Sequence, residues 1–411
     1  MRTFFIIILL GLGFFVSGQN QKVNISFFGS SVCNGTGAEE NHGYAWQFFH
    51  SNVIDTSKYK YSNVSTGGDN TIKVENLDRL TNKLYPANPD MVFLGLSLGN
   101  EGIRSVNDEY GREQILEQFR SRLKQLADSL ERKGLDVIIV NCYAHSYFSA
   151  DHYRFTKRMN RELNTWEYPV VNVLGTIDDW RGRWVEGYYR DPWHPNAMGH
   201  EEMSYAIVPS LLDAIRAGKK PPVYDWRKNY TTIANPGGYE DPISIETDGT
   251  IHSFSISFRF KEADEGSIAG FISDDEHQIL RIEEGALRYK NVGKRISQEE
   301  WTHVVLCHSF ANQQTLLIVN GSLVGVVKEQ LSPTEFNFGG TSQSMDIKDL
   351  AVHRSCLNTD EALDLYNRKF IPASLEFYAP LTTPEINNLA QSMAEAEINR
   401  SVKFVLQEVD W

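Results

Sequence analysis

Four short, near-continuous apolar runs, "VNISFF" from Val23, "DMVFLGLS" from Asp90, "LDVIIVN" from Leu135 and "YPVVNVL" from Tyr168, recur along the first half of the chain with polar or turn residues at their ends. Runs of this length and density suit strands buried on both faces, the pattern of a parallel sheet. Between the second and third, "EQILEQFRSRLKQLADSLERKG" sets Ile115, Leu116, Phe119, Leu123, Leu126 and Leu130 at helical spacing, with Gly134 as a C-terminal cap. A last helix is expected through "NAMGHEEMSYAIVPSLLDAIRA", bent near Pro209. Strands alternating with helices dictate an α/β fold with a three-layer, parallel-sheet architecture. Ligands of such sheets bind beyond the carboxyl ends of the strands.

The pattern changes after Ala217. Residues 218–239 are rich in Pro, Gly and polar residues without a period, and are expected to form a linker. From there "FSISFRF" alternates Phe254, Ile256, Phe258 and Phe260 with polar neighbours, as a half-buried antiparallel strand would. "WTHVVLCHS" and "QTLLIVNGSLVGVV" follow, the latter with Asn320-Gly321 where a hairpin turn belongs. Residues 240–383 are therefore expected to be an all-β sandwich, and residues 384–411 a tail of polar helix or loop ending in a short strand.

Bulk properties narrow the partners. The net charge is −13 and no basic run stands out, which excludes a phosphate backbone as a natural ligand. The opening "MRTFFIIILLGLGFFVSGQNQ" reads as a signal peptide over residues 1–18, too short in its apolar run for a membrane span, and no later stretch rivals it. The expected location is secreted or periplasmic, with the cell surface as a further destination, and the mature chain should lack a membrane span. Cys33, Cys142, Cys307 and Cys356 show no CxxC spacing and signal neither zinc nor redox chemistry. Cys307 and Cys356 either pair in an oxidising compartment or remain as buried thiols.

Chemistry is concentrated at the predicted strand ends. In "DPWHPN", Asp191 precedes His194 by three positions, close enough in a turn to hold one ring nitrogen and leave the other to act as a base. The first strand runs into "FFGSSVCNGTG", where Gly29 permits a sharp turn and a serine lands at the mouth of the sheet. "NVSTGGDNT" supplies Gly67 and Gly68, and "LGLSLGNEG" supplies Asn100; backbone and amide N–H groups there suit an oxyanion hole. "GLSLG" is also a literal G-x-S-x-G, which makes Ser97 a rival nucleophile, but the immediate helix that motif needs is missing. His145 follows the fourth strand, where it either lines the pocket or is a plain loop histidine, and is left outside the site. His42, Tyr44 and Trp46 are read as packing, and His200 as part of the last helix.

In these four blocks, "GSS" at 29–31, "NVSTGGDNT" at 63–71, "LGNE" at 98–101 and "DPWHPN" at 191–196, the chain resembles the SGNH, or GDSL-type, hydrolase superfamily. The resemblance spans essentially residues 19–217 and implies a flavodoxin-like sheet. It implies Ser31 as nucleophile, His194 as base, Asp191 as its orienting carboxylate, and Gly68 and Asn100 as oxyanion-hole donors, with no metal or organic cofactor. Two positions depart from the family pattern: Ser30 stands where an aspartate is usual, and Glu101 replaces an aspartate.

The second domain resembles the laminin-G-like, or concanavalin-like, jelly roll, whose relatives often bind glycans. Together the two resemblances imply a secreted serine esterase that removes O-acetyl groups from a polysaccharide or glycan. The alternative is a non-catalytic glycan-binding or adhesion protein whose hydrolase domain has decayed, motivated by Ser30 and Glu101.

Overall fold

A computed structural model describes residues 22–409, so the expected signal peptide lies outside the described residues. Five strands, β1 (Val23–Gly29), β2 (Tyr59–Asn63), β3 (Met91–Gly95), β4 (Asp136–Val140) and β5 (Val170–Val171), form one parallel sheet in the order β2-β1-β3-β4-β5. This is the flavodoxin-like order, in which the chain leaves β1 toward one side for β2 and crosses to the other for β3. The reversal opens a crevice at the carboxyl ends of β1 and β3.

Helices cover both faces of this sheet. The long helix Glu109–Glu131 buries Leu116, Phe119, Leu123 and Leu130 against Val92, Leu94, Val137 and Ile139, as the helical spacing dictates. Asp108 caps its start by accepting the Gly111 N–H at 2.7 Å, and Gly134 adopts a left-handed φ of 83° just past its end. The last helical stretch is split into Ala197–Tyr205 and Leu211–Arg216, with Pro209 between them.

The rest of the chain is a sandwich of two mainly antiparallel sheets, one of eight strands and one of seven among the described residues. Phe254, Phe258, Phe271, Phe336 and Phe338 fill the space between them. Asn320 and Gly321 take left-handed φ values of 51° and 72° and turn the hairpin between Gln314–Val319 and Ser322–Lys328. The segment expected as a linker contains the strand Tyr230–Ala234, paired with Ser344–His353 and Lys403–Gln407. The tail likewise gives one strand to each sheet, Ala396–Ile398 and Lys403–Gln407, and both complete the sandwich.

The strand Phe254–Lys261 differs from its expected half-burial: seven of its eight residues are buried. Its sheet packs on both faces. In the neighbouring strand Thr302–Ser309, Val304 and Leu306 join the sandwich core, whereas Val305 and Cys307 join Phe155, Met159 and Leu163 of the helix Ala150–Leu163 in the first domain. Polar links surround this contact, among them Lys157 Nζ to Asp360 at 2.7 Å and Asn172 N–H to Ser374 Oγ at 2.7 Å. All four cysteines are free thiols and buried.

Candidate active site

The close approach of β1 and β3 sets the geometry of the crevice. Gly29 and Gly95 are register partners, and a Cβ on Gly29 would stand 2.1 Å from the Gly95 carbonyl oxygen. Only glycine lets the chain turn there directly into the short helix Ser31–Asn34. That turn separates the two serines. Ser30 is fully buried, with its hydroxyl 3.0 Å from the Tyr143 hydroxyl, while Ser31 is partly exposed and lines a cleft of about 520 Å³.

Gly67, Gly68, Gly99, Asn100, Tyr143, His145, Phe148, Trp193 and His194 share this cleft with Ser31. The structure thus brings together Ser31, Gly68, Asn100 and His194 from four separate strand ends and loops. Ser97 is not among them: it is 1% exposed and leads into a 3-10 turn, Leu98–Glu101, rather than an α-helix.

The glycine loop is braced from both sides. Val64 and Thr66 donate backbone N–H bonds to Phe27 and Gly29, and Lys83 Nζ donates to Thr66 Oγ1 at 2.7 Å. Gly68 has a φ of 74°, where a side chain would be strained. Asn100 Nδ2 donates to the Asp69 carbonyl at 3.2 Å, and the Asn100 carbonyl accepts from Asn70 Nδ2 at 3.2 Å. Glu101 accepts both the N–H and the hydroxyl of Thr71, at 2.7 and 3.0 Å. The two family departures therefore have structural work: Glu101 ties the asparagine turn to the glycine loop, and Ser30 anchors the serine turn to Tyr143. Burial pushes the Glu101 carboxyl above its ordinary range, against the lowering effect of the Thr71 bonds.

Asp191 and His194 face each other across a two-stranded ladder, β6 (Tyr189–Asp191) and β7 (His194–Pro195). His194 Nδ1 lies 3.0 and 2.9 Å from the two carboxylate oxygens, and Asp191 Oδ1 also accepts the N–H groups of Trp193 and His194. Partial burial would raise the Asp191 carboxyl, but the His194 bond and these N–H groups together hold it below its usual value. With Nδ1 engaged, the ring offers Nε2 for proton transfer. A serine hydroxyl, an imidazole held at Nδ1, and potential donors on the glycine loop and Asn100 in one cleft are groups of the kind that acyl transfer requires.

His200 is buried and serves the scaffold: Nδ1 accepts the Tyr44 N–H at 3.3 Å and Nε2 donates to the Thr36 carbonyl at 3.1 Å. Trp46 stacks between His42 and His50, a packing role, as its place in a helix suggests. The sequence reading left out one wall of the cleft. His145 stacks on Phe148, with ring centroids 5.2 Å apart, and meets the edge of Trp193 at 4.5 Å. Burial, assisted by Arg104, lowers its imidazole to about 4. The signal available for this wall was position: "NCYAHSYFS" follows a parallel strand at its carboxyl end.

Residues 27–202 match the model of the GDSL-like Lipase/Acylhydrolase family. Among solved structures, the chain is similar to a catalytic mutant of an acetylxylan esterase from Geobacillus stearothermophilus, with 14% identity, 46% of this chain and 94% of that one covered, and a TM-score of 0.35. An alpha/beta hydrolase enzyme from the metagenome of Lake Arreo, Spain, aligns at 17% identity over 46% of this chain and 95% of its own, with a TM-score of 0.34. A heptameric SAP-like pentraxin from Limulus polyphemus aligns at 14% identity over 44% of this chain and 95% of its own, with a TM-score of 0.30. No curated protein matches the chain. The matched residues span the parallel sheet and its cleft, and the match supports a hydrolase acting on ester bonds.

Proposed function

We propose that the protein is an exported serine esterase that removes O-acetyl groups from a polysaccharide or glycan. The observation that carries this reading is the cleft in which Ser31, Gly68, Asn100 and His194 meet while Asp191 holds the far nitrogen of the imidazole. Ser31 Oγ attacks the acetyl carbonyl carbon as its proton passes to His194 Nε2. The oxyanion receives hydrogen bonds from the N–H groups of Ser31 and Gly68 and from the Asn100 amide. Collapse breaks the ester bond, the sugar oxygen leaves with the proton from His194, and an acetyl group remains on Ser31. His194 then deprotonates a water, which attacks the acetyl-serine and releases acetate.

A sugar substrate is supported by the indole of Trp193, 46% exposed at the rim of the cleft. The attached sandwich, which we read as laminin-G-like, supports the same substrate class by offering a second surface for glycan. Export rests on the apolar N-terminal segment of the sequence. The test is acetate release from acetylated oligosaccharides and p-nitrophenyl acetate turnover by the parent protein and by Ser31→Ala, Ser97→Ala and His194→Ala. The reading requires loss in Ser31→Ala and His194→Ala with retention in Ser97→Ala; hydrolysis of long-chain lipid esters alone would overturn the substrate class.

A further inference from the structure

We propose that a cationic cleft beside the candidate active site is a subsite for the oxyanion of an acidic sugar residue, so that the acetylated substrate is an anionic polysaccharide; the proposal rests on reading the neighbouring cleft as the esterase site. In a chain of net charge −13, Arg154, Lys157, Arg181 and Arg183 gather with Tyr153 and Trp180 around a cleft of about 410 Å³. Phe148 lines this cleft and the active-site cleft alike. The two are thus neighbouring subsites separated by one aromatic ring and the loop that carries it.

Charge compensation is uneven within the cluster. Arg154 pairs with Glu109 at 2.6 Å and Asp151 at 3.6 Å, and Lys157 pairs with Asp360 at 2.7 Å. Among the described residues, neither Arg181 nor Arg183 has a carboxylate oxygen within 4 Å of its guanidinium. The acids nearest in sequence face elsewhere. Asp179 Oδ1 accepts the backbone N–H groups of Arg181 and Arg183, at 2.8 and 2.9 Å, and so shapes the turn that presents both side chains. Asp178 is buried, bound to the Tyr153 hydroxyl and the Gly182 N–H. Arg183 spends Nε on the Phe148 carbonyl at 3.3 Å, which fixes its stem and leaves its terminal nitrogens for a ligand.

The same turn holds Trp180 at a φ of 59°, a left-handed conformation unfavourable for a bulky residue. Strain of this kind persists where surrounding structure imposes it, and ligand clamps are a recurrent setting. A planar guanidinium recognises two oxygens of one anion at once. The anion is a uronate carboxylate or a ring sulfate, two sources of one chemistry.

The experiment is calorimetric binding by the full mature chain carrying Ser31→Ala, which retains ligand without turnover. Probes are an oligogalacturonate, its methyl-esterified form, a sulfated galactan oligosaccharide and a neutral xylo-oligosaccharide. At least one charged probe should bind tenfold or more tightly than the methyl-esterified and neutral ones, and the tighter charged probe identifies the anion. Adding Arg181→Gln and Arg183→Gln should abolish that advantage, whereas Arg181→Lys with Arg183→Lys should keep part of it and checks that loss is not misfolding. Equal affinity for charged and uncharged probes, no binding to any, or an advantage that survives the glutamine pair would overturn the subsite. Acetate release by the parent enzyme is read separately, so failure of the esterase reading is distinguishable from failure of the subsite.

Discussion

Asp191 places both carboxylate oxygens within 3.0 Å of His194 Nδ1 while two backbone N–H groups fix the carboxylate itself. In the proposed mechanism the pair would set the tautomer of the imidazole and stabilise its positive charge once it takes the Ser31 proton. Asp191→Asn keeps the shape and removes both effects. The expected outcome is a fall in kcat of about 10⁴-fold with little change in KM, by analogy with loss of the orienting carboxylate in serine hydrolases. Steady-state kinetics on p-nitrophenyl acetate, with circular dichroism to confirm folding, provide the check; a loss under tenfold would remove Asp191 from the proposed mechanism.

Glu101 acts at one remove. It accepts two bonds from Thr71, at 2.7 and 3.0 Å, and sits next to Asn100, which lines the cleft. Glu101→Ala leaves the Thr71 N–H without its acceptor and should cost about 2 kcal/mol of stability. Glu101→Gln still offers one acceptor and should lose less. If the positioning role is right, kcat falls in the alanine variant more than KM rises, because the oxyanion donor is displaced while the aromatic wall is intact. Thermal melts and the kcat-to-KM split on acetylated oligosaccharide measure both.

That the serine, glycine, asparagine and histidine positions meet in one cleft was legible because each lies at a strand end or turn and demands a specific backbone or polar group locally. Gly29 is required by Gly95 only 2.1 Å from where its Cβ would lie, and Gly68 by its left-handed φ. The aromatic wall was signalled only by its place after a strand, because long-range pairing builds it: His145 N–H donates to the Gly182 carbonyl and Ser146 N–H to the Pro192 carbonyl, which swings "HSYF" over the cleft. The doubly buried strand Phe254–Lys261 was hidden for a similar reason. Its polar residues look solvent-facing, yet Ser255 Oγ donates to the Ser355 carbonyl at 2.8 Å and Arg259 donates to the Leu365 and Tyr366 carbonyls. Partners a hundred residues away satisfy them, and no local pattern announces that.

Acid should weaken the fold partly through His200. Burial lowers its imidazole from 6.5 to about 4, and its Nδ1 must stay unprotonated to accept the Tyr44 N–H. Between these values the unfolded chain binds a proton that the folded chain refuses, so stability falls as pH drops from about 6.5 to 4. The contribution amounts to at most about 1.4 kcal/mol per pH unit. His200→Asn should be less stable at pH 7.5, because its hydrogen bonds are compromised, but should lose less stability on acidification than the parent. Urea unfolding at pH 7.5, 6.0 and 5.0 reads this slope; parallel pH profiles would refute the assignment.

The junction between the domains depends on Arg354, which is 1% exposed and lies 3.4 Å from the equally buried Glu376. Its guanidinium also donates to the carbonyls of Tyr205 in the hydrolase domain and of Asp248 and Thr250 in the sandwich, at distances from 2.6 to 3.2 Å. Removing the cation strands three carbonyls and leaves Glu376 without its counter-charge. Arg354→Met should therefore cost about 3–5 kcal/mol, the usual penalty for breaking a buried pair from one side. The double variant with Glu376→Leu should recover part of that loss, because the uncompensated carboxylate goes while the orphaned carbonyls remain. Since Arg354 bridges the two domains, the single variant should also split one cooperative thermal transition into two. Calorimetric scans of the parent, single and double variants test both effects, and a single variant that melts in one unshifted transition would show that the apolar contact of Val305 and Cys307 with Phe155 and Met159 suffices to couple the domains.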